Sequence, residues 1–301
     1  MHFNKEYDFV KLSKYTFIFS IALTIAGIIM LSIFGLNYGV DFQAGSNVDI
    51  KLSKNLTKAE VQPIVDQMGL SKEATIAPGD KRMNIRFTKV LTPETDDQLK
   101  TGIQKLDKTA SFEVNTVDTE MAKELGRNAI YAVLISCIGI IIYVSIRFEW
   151  RFAVAAIIAL LHDAFMVVAV FSIFRLEVSL TFIIAVLTII GYSINDTIVV
   201  FDRIRENLRF GKQKTKVDLA ALMNKSVNQM LMRSIYTALT VFIAAFFMFI
   251  LGGESIKMFS LAMVVGLLFG AYSSIFIASP LWLIFKNKQK TNSKVAKPSK
   301  A

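Results

Sequence analysis

The sequence predicts an α-helical polytopic membrane protein: six transmembrane helices plus one small α+β extracytoplasmic domain. Three observations lead there. Hydrophobic residues make up 53% of the 301, and the mean hydropathy is +0.49. The apolar residues gather into six runs, each near the roughly 20 residues needed to cross hydrocarbon. One polar stretch with strand and helix signals separates the first run from the other five.

Residues 1–14 read as a cytosolic N-terminus, and Tyr15–Leu36 as the first span. That run is too long for the apolar part of a cleavable signal, and no small-residue cleavage site clearly follows it, so it reads as a retained anchor. Residues 37–127 carry the outer domain. "VDFQAGSNVDIKL" alternates like a strand with a glycine break, and "TKAEVQPIVDQMG" has helical spacing, opening on Thr57 with Glu60 three residues later. "KEATIAP" and "RMNIRFTK" read as strands around a Pro78–Gly79–Asp80 turn. "TPETDDQLKTGIQKLDK" starts as helices do, with threonine, proline and acids, and "ASFEVNTVDT" closes the domain as a strand. The order β-α-β-β-α-β is the split βαβ, ferredoxin-like pattern. This stretch has nearly balanced charge and contains no cysteine, histidine or phosphate-binding glycine loop. It is expected to touch a polypeptide or a partner protein; an inert plug is the competing reading.

Five further spans occupy residues 128–285: Asn128–Ile146, Phe152–Phe174, Val178–Phe201, Leu231–Leu251 and Met258–Phe285. Most connections are short, but a cytosolic loop at 202–230 separates the fourth and fifth spans. Its "KVDLAALMNKSVNQML" is expected to lie as an amphipathic helix on the membrane surface. Residues 286–301 form a basic cytosolic tail. Seven Lys/Arg fall between Arg203 and Lys225 and six between Lys286 and Lys300, whereas the short outer loops hold only Arg175 and Lys257. That asymmetry sets both termini inside. The tail reads as a contact with lipid headgroups, and no basic-aromatic pattern points to nucleic acid. The single Cys137 forms no internal disulfide or metal cluster.

The informative residues are polar ones inside the spans. A charged side chain at mid-bilayer costs about 2.5–3.5 kcal/mol on insertion scales, so each needs a reason. Thr188, Tyr192 and Asp196 share one helix face at i, i+4, i+8, and Arg233, Tyr236, Thr237 and Thr240 share a face of the next helix. Those helices run antiparallel, so Asp196 and Arg233 can meet. A desolvated carboxyl favours its charged form beside a cation and its neutral form without one, so a motion that parts such a pair is a proton switch. Arg233 reaching for headgroups, and Asp196 as a structural hydrogen-bond partner, are the competing readings. His162–Asp163 is a third polar point, either a proton relay or a structural pair. Asp202, Arg203, Arg205 and Glu206 read as a solvated helix end.

"GYSINDTIVVFDRIREN", with Gly191, Tyr192, Asn195, Asp196, Asp202 and Arg203, closely resembles the signature of the SecF family of bacterial protein-export membrane proteins, within the resistance–nodulation–division superfamily. "YGVDFQAGSNVDI" resembles the family's Asp-Phe-x-Gly-Gly element through Asp41, Phe42 and Gly45, with Ala44 in place of a glycine. "LLHDA" resembles the third-helix element and "NKSVNQMLMRSIYTALT" the opening of the fifth, although Met230, Met232 and Ser234 replace the usual Thr, Ser and Thr. The resemblance implies proton flow through Asp196 and Arg233 with Thr237 nearby, and no cofactor or metal. It also implies a place in the bacterial cytoplasmic membrane beside SecD, a SecYEG-type translocon and exported unfolded polypeptide, as a separate subunit and not a fusion with SecD. The rivals are a small exporter of the same superfamily, a scaffold without proton chemistry, and an intramembrane aspartyl protease using Asp163 and Asp196. The protease lacks its Gly-x-Gly-Asp context, and no His-Glu-x-x-His motif is present, so the chain is not expected to be an enzyme.

Overall fold

The computed structural model describes residues 7–210 and 216–295. Parts of the expected N-terminus, long loop and basic tail, at 1–6, 211–215 and 296–301, lie outside the described residues. Helix α1, Phe9–Phe34, starts where the Asp8 side chain accepts the Lys11 N–H at 3.1 Å. After it come β1 (Asn37–Tyr38), one helical turn α2 (Val40–Gln43) and β2 (Gly45–Lys51). The "VDFQAGSN" segment therefore differs from expectation: its first half is a helical turn, and the strand begins only at Gly45. The backbone explains the break. Ala44 stands at φ +64° and ψ 162°, in a region that is essentially glycine-only. Gly45 follows at φ +132°, and a Cβ there would lie 2.2 Å from the Phe87 carbonyl oxygen.

Strand β2 continues into α3 (Lys58–Gln67), β3 (Ala74–Gly79), β4 (Arg82–Phe87), α4 (Pro93–Leu106) and β5 (Ser111–Val117). The four strands form an antiparallel sheet in the order β3-β4-β2-β5. Thr57 and Glu60 make the reciprocal capping box at the head of α3, and Thr92 caps α4 ahead of Pro93. Both helices cover one sheet face, burying Val61, Val65, Leu99 and Ile103 against Val48, Ile50, Ile85 and Phe87. The turn between β3 and β4 sits at Asp80–Lys81, one step later than expected, with Lys81 at φ 51°. Two arginines on the open face of β4 hold the sheet to the helix ends. Arg86 donates to the Tyr38 carbonyl and lies 3.7 Å from Glu177, and Arg82 donates to the Gly252 carbonyl at 3.5 Å.

The remaining helices are α5 (Thr119–Arg147), α6 (Trp150–Ile173), α7 (Leu180–Phe210), α8 (Lys216–Leu251), α9 (Glu254–Ser273) and α10 (Ser279–Val295). A short strand β6 (Glu177–Val178) precedes α7 and pairs in parallel with β1. A π-helical turn, Ser274–Ala278, joins α9 to α10. Among the described residues, six helices, counting α9–α10 as one, are long and apolar enough to cross a membrane. The structure extends the expected spans: α5 begins at Thr119, and α7 continues to Phe210. It also revises the surface helix. "KVDLAALMNKSVNQML" is helical, but it is the first part of α8 and runs straight into the fifth span. Its polar side is occupied by the N-terminus: Asn224 accepts the Val10 N–H at 3.1 Å, and Asn228 accepts the Tyr7 N–H at 3.2 Å.

Helices α6, α7 and α9–α10 form the packed centre of the bundle, while α1, α5 and α8 bury little of their surface. Without a hydrophobic drive between helices in lipid, close packing has to hold them together. Ala155, Ala156 and Ala159 let backbones approach, and Phe152 packs between Phe201 and a stacked Trp282, each with ring centroids 4.9 Å away.

Candidate functional site: two carboxylates in the helix bundle

Helix α7 carries Asp196 in the centre of the signature segment. Tyr192, Asn195, Asp196 and Val199 of α7 face Arg233 and Thr237 of α8 across a cavity of about 50 Å³. That volume admits at least one water among polar walls. Among the described residues no ion pair joins Asp196 to Arg233, although the two line the same cavity. The Asp196 carboxylate instead accepts the hydroxyl of Ser274, at 2.5 Å from Oδ2. Thr237 turns its hydroxyl to the Arg233 carbonyl at 2.6 Å. The face bearing Thr188, Gly191, Asn195, Arg233, Tyr236 and Thr237 is left uncovered by the rest of the chain.

A second carboxylate, Asp163 on α6, is wholly buried. Its Oδ2 accepts the hydroxyls of Ser193 and Ser273, both at 2.5 Å. Its Oδ1 lies 3.1 Å from His162 Nδ1, which donates in the tautomer that carries its proton there. His162 Nε2 is buried with no partner. Tyr272 packs near the imidazole and sends its hydroxyl to the Thr16 carbonyl at 2.8 Å. Asp163 thus ties α6, α7 and α9 together through neutral donors.

The other expected residues fall at the two ends of the bundle. Asp202 lies 2.8 Å from Arg205 and 3.6 Å from Arg147, and Arg203 reaches Glu206 and Gln229, each at 2.7 Å. At the opposite end Asp41 accepts the Leu180 N–H at 2.8 Å and so caps the start of α7, while Phe42 meets Tyr38 edge-on. The motif around Gly45 therefore anchors the helix that carries Asp196. Three residues escaped the sequence reading: Ser193, Ser273 and Ser274. The available signal was weak, a serine three residues before Asp196 and a serine pair breaking the last apolar run.

Outside the membrane spans, hydrogen bonds lower the carboxyls of Asp8, Glu60, Asp66 and Asp107, and burial raises that of Glu177. Hydrogen bonds from the Thr109 hydroxyl and the Ser53 N–H hold Asp107 well below the usual carboxylate range. Burial pushes Glu177 up, against the pull of Arg86. Among the described residues, no group of three or more His, Cys, Asp or Glu could hold a metal ion.

The family described as "Protein export membrane protein SecD/SecF, C-terminal" matches residues 98–288, and the "SecD/SecF GG Motif" matches residues 29–55. The chain belongs to the SecD/SecF family. It is a multi-pass membrane protein of that family, with six apolar helices among the described residues. It is 43% identical over 289 residues to the protein translocase subunit SecF of Alicyclobacillus acidocaldarius, covering 94% of each chain. It is 48% identical over 289 residues to the protein translocase subunit SecDF of Bacillus subtilis, covering 95% of this chain and 39% of that one. The crystal structure of SecDF from Thermus thermophilus, described as a translocon-associated membrane protein, superposes with a TM-score of 0.85 at 33% identity, covering 95% of this chain and 40% of that one. The chain thus spans about two fifths of the SecDF relatives and nearly all of the SecF relative. The Asp41–Gly45 element and the Asp196 segment both lie within the matched SecD/SecF regions.

Proposed function

We propose that this chain is a SecF subunit of the bacterial protein-export machinery, and that with SecD it uses the proton gradient to drive late steps of polypeptide translocation. The observation that carries the reading is Asp196: a carboxylate within a span, sharing a small polar cavity with Arg233 and hydrogen-bonded to a serine instead of the arginine. A cavity that admits water and holds a titratable carboxyl and a fixed cation on two different helices has the parts a gated proton site requires. Asp196, Arg233 and Thr237 carry the proton step, and His162–Asp163 supports it.

The uncovered polar face of α7 and α8 supports SecD as the partner. Asn195 and Arg233 are too polar to be left against hydrocarbon, and a second helical subunit would cover them together with Thr237. The sequence resemblance and the Lys/Arg asymmetry support the cytoplasmic membrane with both termini inside. Residues 37–127 are then a ferredoxin-like extracytoplasmic domain. A cleft of about 460 Å³ beside its sheet, lined by Asp49, Lys51, Arg82 and Glu113, mixes both charge signs and so suits weak contact with emerging polypeptides of varied sequence near the translocon.

The test is translocation in inverted vesicles containing SecD, with and without a proton gradient. Asp196→Asn keeps size and hydrogen bonding but cannot titrate, so it should assemble with SecD yet lose the gradient-driven part of export. Arg233→Ala should give the same loss. Arg233→Lys keeps the charge without the planar fork and should retain partial activity. Full gradient-dependent export by Asp196→Asn would overturn the reading.

A further inference from the structure

The last span contains an irregularity that the proposed reaction does not yet use. α9 ends at Ser273, and the π-helical turn Ser274–Ala278 interrupts the α-helical ladder before α10 resumes. Such turns are rare and recur at functional sites. Ser273 and Ser274 stand at its head, and both are wholly buried. Each aims its hydroxyl at a carboxylate on a different helix: Ser273 at Asp163 on α6 and Ser274 at Asp196 on α7, both at 2.5 Å. Each hydroxyl also has a second acceptor within reach, the carbonyl three residues earlier. That is Gly270 for Ser273 and Ala271 for Ser274, both at 3.2 Å.

A hydroxyl has one hydrogen and two lone pairs. Against a charged carboxylate it donates, and the helix carbonyl goes without. Against a protonated carboxyl the roles can reverse: the carboxyl O–H donates to the serine oxygen, and the serine hydrogen turns to the carbonyl. Each serine keeps its own hydrogen throughout, so no proton crosses between the sites. Hydroxyl bonding back to a helix carbonyl alters the local bend. The Ser274 carbonyl is itself bonded by the Ser279 hydroxyl at 2.9 Å, across the π turn. A change at Ser274 therefore acts on the turn that also positions Ser273.

We propose that Ser274 is a positioning residue that transmits the protonation of Asp196, through this turn and Ser273, to Asp163. The inference rests on the proton role assigned to Asp196. The groups that face the two carboxylates fit it. Tyr192 of α7 and Arg233 of α8 share the cavity with Asp196. Asp163 meets His162 of its own helix, Ser193 of α7 and Ser273 of α9, and Tyr272 packs beside the imidazole. The two adjacent serines give each carboxylate a hydrogen bond from consecutive positions of one helix, while Ser193, three residues before Asp196 on α7, also reaches Asp163.

Infrared difference spectra, acidic minus neutral, of the chain assembled with SecD in lipid vesicles would test this. Wild type should show a carboxyl band that vanishes in Asp196→Asn, together with a change at Asp163 that vanishes in both Asp163→Asn and Asp196→Asn. Ser274→Ala should keep the Asp196 band and lose the Asp163 response, and Ser274→Thr should restore it. An Asp163 response that persists in Ser274→Ala, or in Asp196→Asn, overturns this inference alone. A wild type without an Asp196 band overturns the proton role and this inference together. If Ser274→Ala fails to assemble with SecD, Ser273→Ala cuts the same link. It should keep the Asp196 band and lose the Asp163 response, and a retained response overturns the coupling.

Discussion

Helices α7 and α9 cross where Gly266 meets Ile189, and Gly266→Ala is the sharpest available probe of that crossing. An added Cβ would lie 2.2, 2.5 and 2.8 Å from Cδ1, Cγ1 and Cγ2 of Ile189. Rotating the terminal methyl relieves only the first of these contacts. The whole side chain has to move, and Ile189 is only 1% exposed, so it has no free space to enter. Overpacking of this kind costs about 1–3 kcal/mol. The same crossing sets the distance between Asp196, two turns further along α7, and the Ser273–Ser274 pair at the end of α9. Unfolding free energy measured in lipid should fall by that amount in Gly266→Ala. Ile189→Ala alone should cost about 2–5 kcal/mol through the cavity it leaves. The double variant should lose less than the two losses combined, with a coupling of about 0.5–3 kcal/mol in the direction of relief. Losses that add to within about 0.3–0.5 kcal/mol would refute the steric account.

Two further outcomes follow from the sheet domain and the segment that leads into it. Ala44 occupies a backbone region suited to glycine, at about 1–3 kcal/mol, so Ala44→Gly should raise the thermal stability of the chain despite glycine's greater unfolded-state entropy; an unchanged or lower melting temperature would contradict that. Hydrogen bonds hold Asp107 below the usual carboxylate range, so its contribution to stability is present above about pH 4, the ordinary carboxylate value, and is lost as pH falls through the lowered one. Asp107→Asn should flatten the acid limb of the stability curve, measured by denaturant unfolding across pH; a limb identical to wild type would refute it.

The spans were legible because length and apolarity alone define them, and β2–β5 because alternation and capping residues agree. The failures have particular causes. In "VDFQAGSN" the apolar alternation imitates a strand, while a helical turn results because Asp41 reaches the N-terminus of α7 and two consecutive residues take glycine-type backbone angles. In "KVDLAALMNKSVNQML" the polar stripe is real, but Asn224 and Asn228 spend it on the backbone of Tyr7 and Val10. Amphipathicity reports that a helix has two environments, and only the fold says which they are.

The site divides along the same line. Asp196, Arg233, His162 and Asp163 stand out in sequence because charge in hydrocarbon needs a reason. Serine does not, since it can satisfy its hydroxyl on its own helix, as Ser260 does on the Ile256 carbonyl at 2.8 Å. That capacity is what suits Ser273 and Ser274 to these carboxylates. An arginine locked onto Asp196 would favour only the charged form, and an apolar neighbour only the neutral one. A hydroxyl that can donate to one state and accept from the other, with a helix carbonyl in reserve for its hydrogen, accommodates both. A carboxyl that must cycle between two states inside a membrane needs such a neighbour, and the chain places one against Asp163 and one against Asp196 from consecutive positions on one helix.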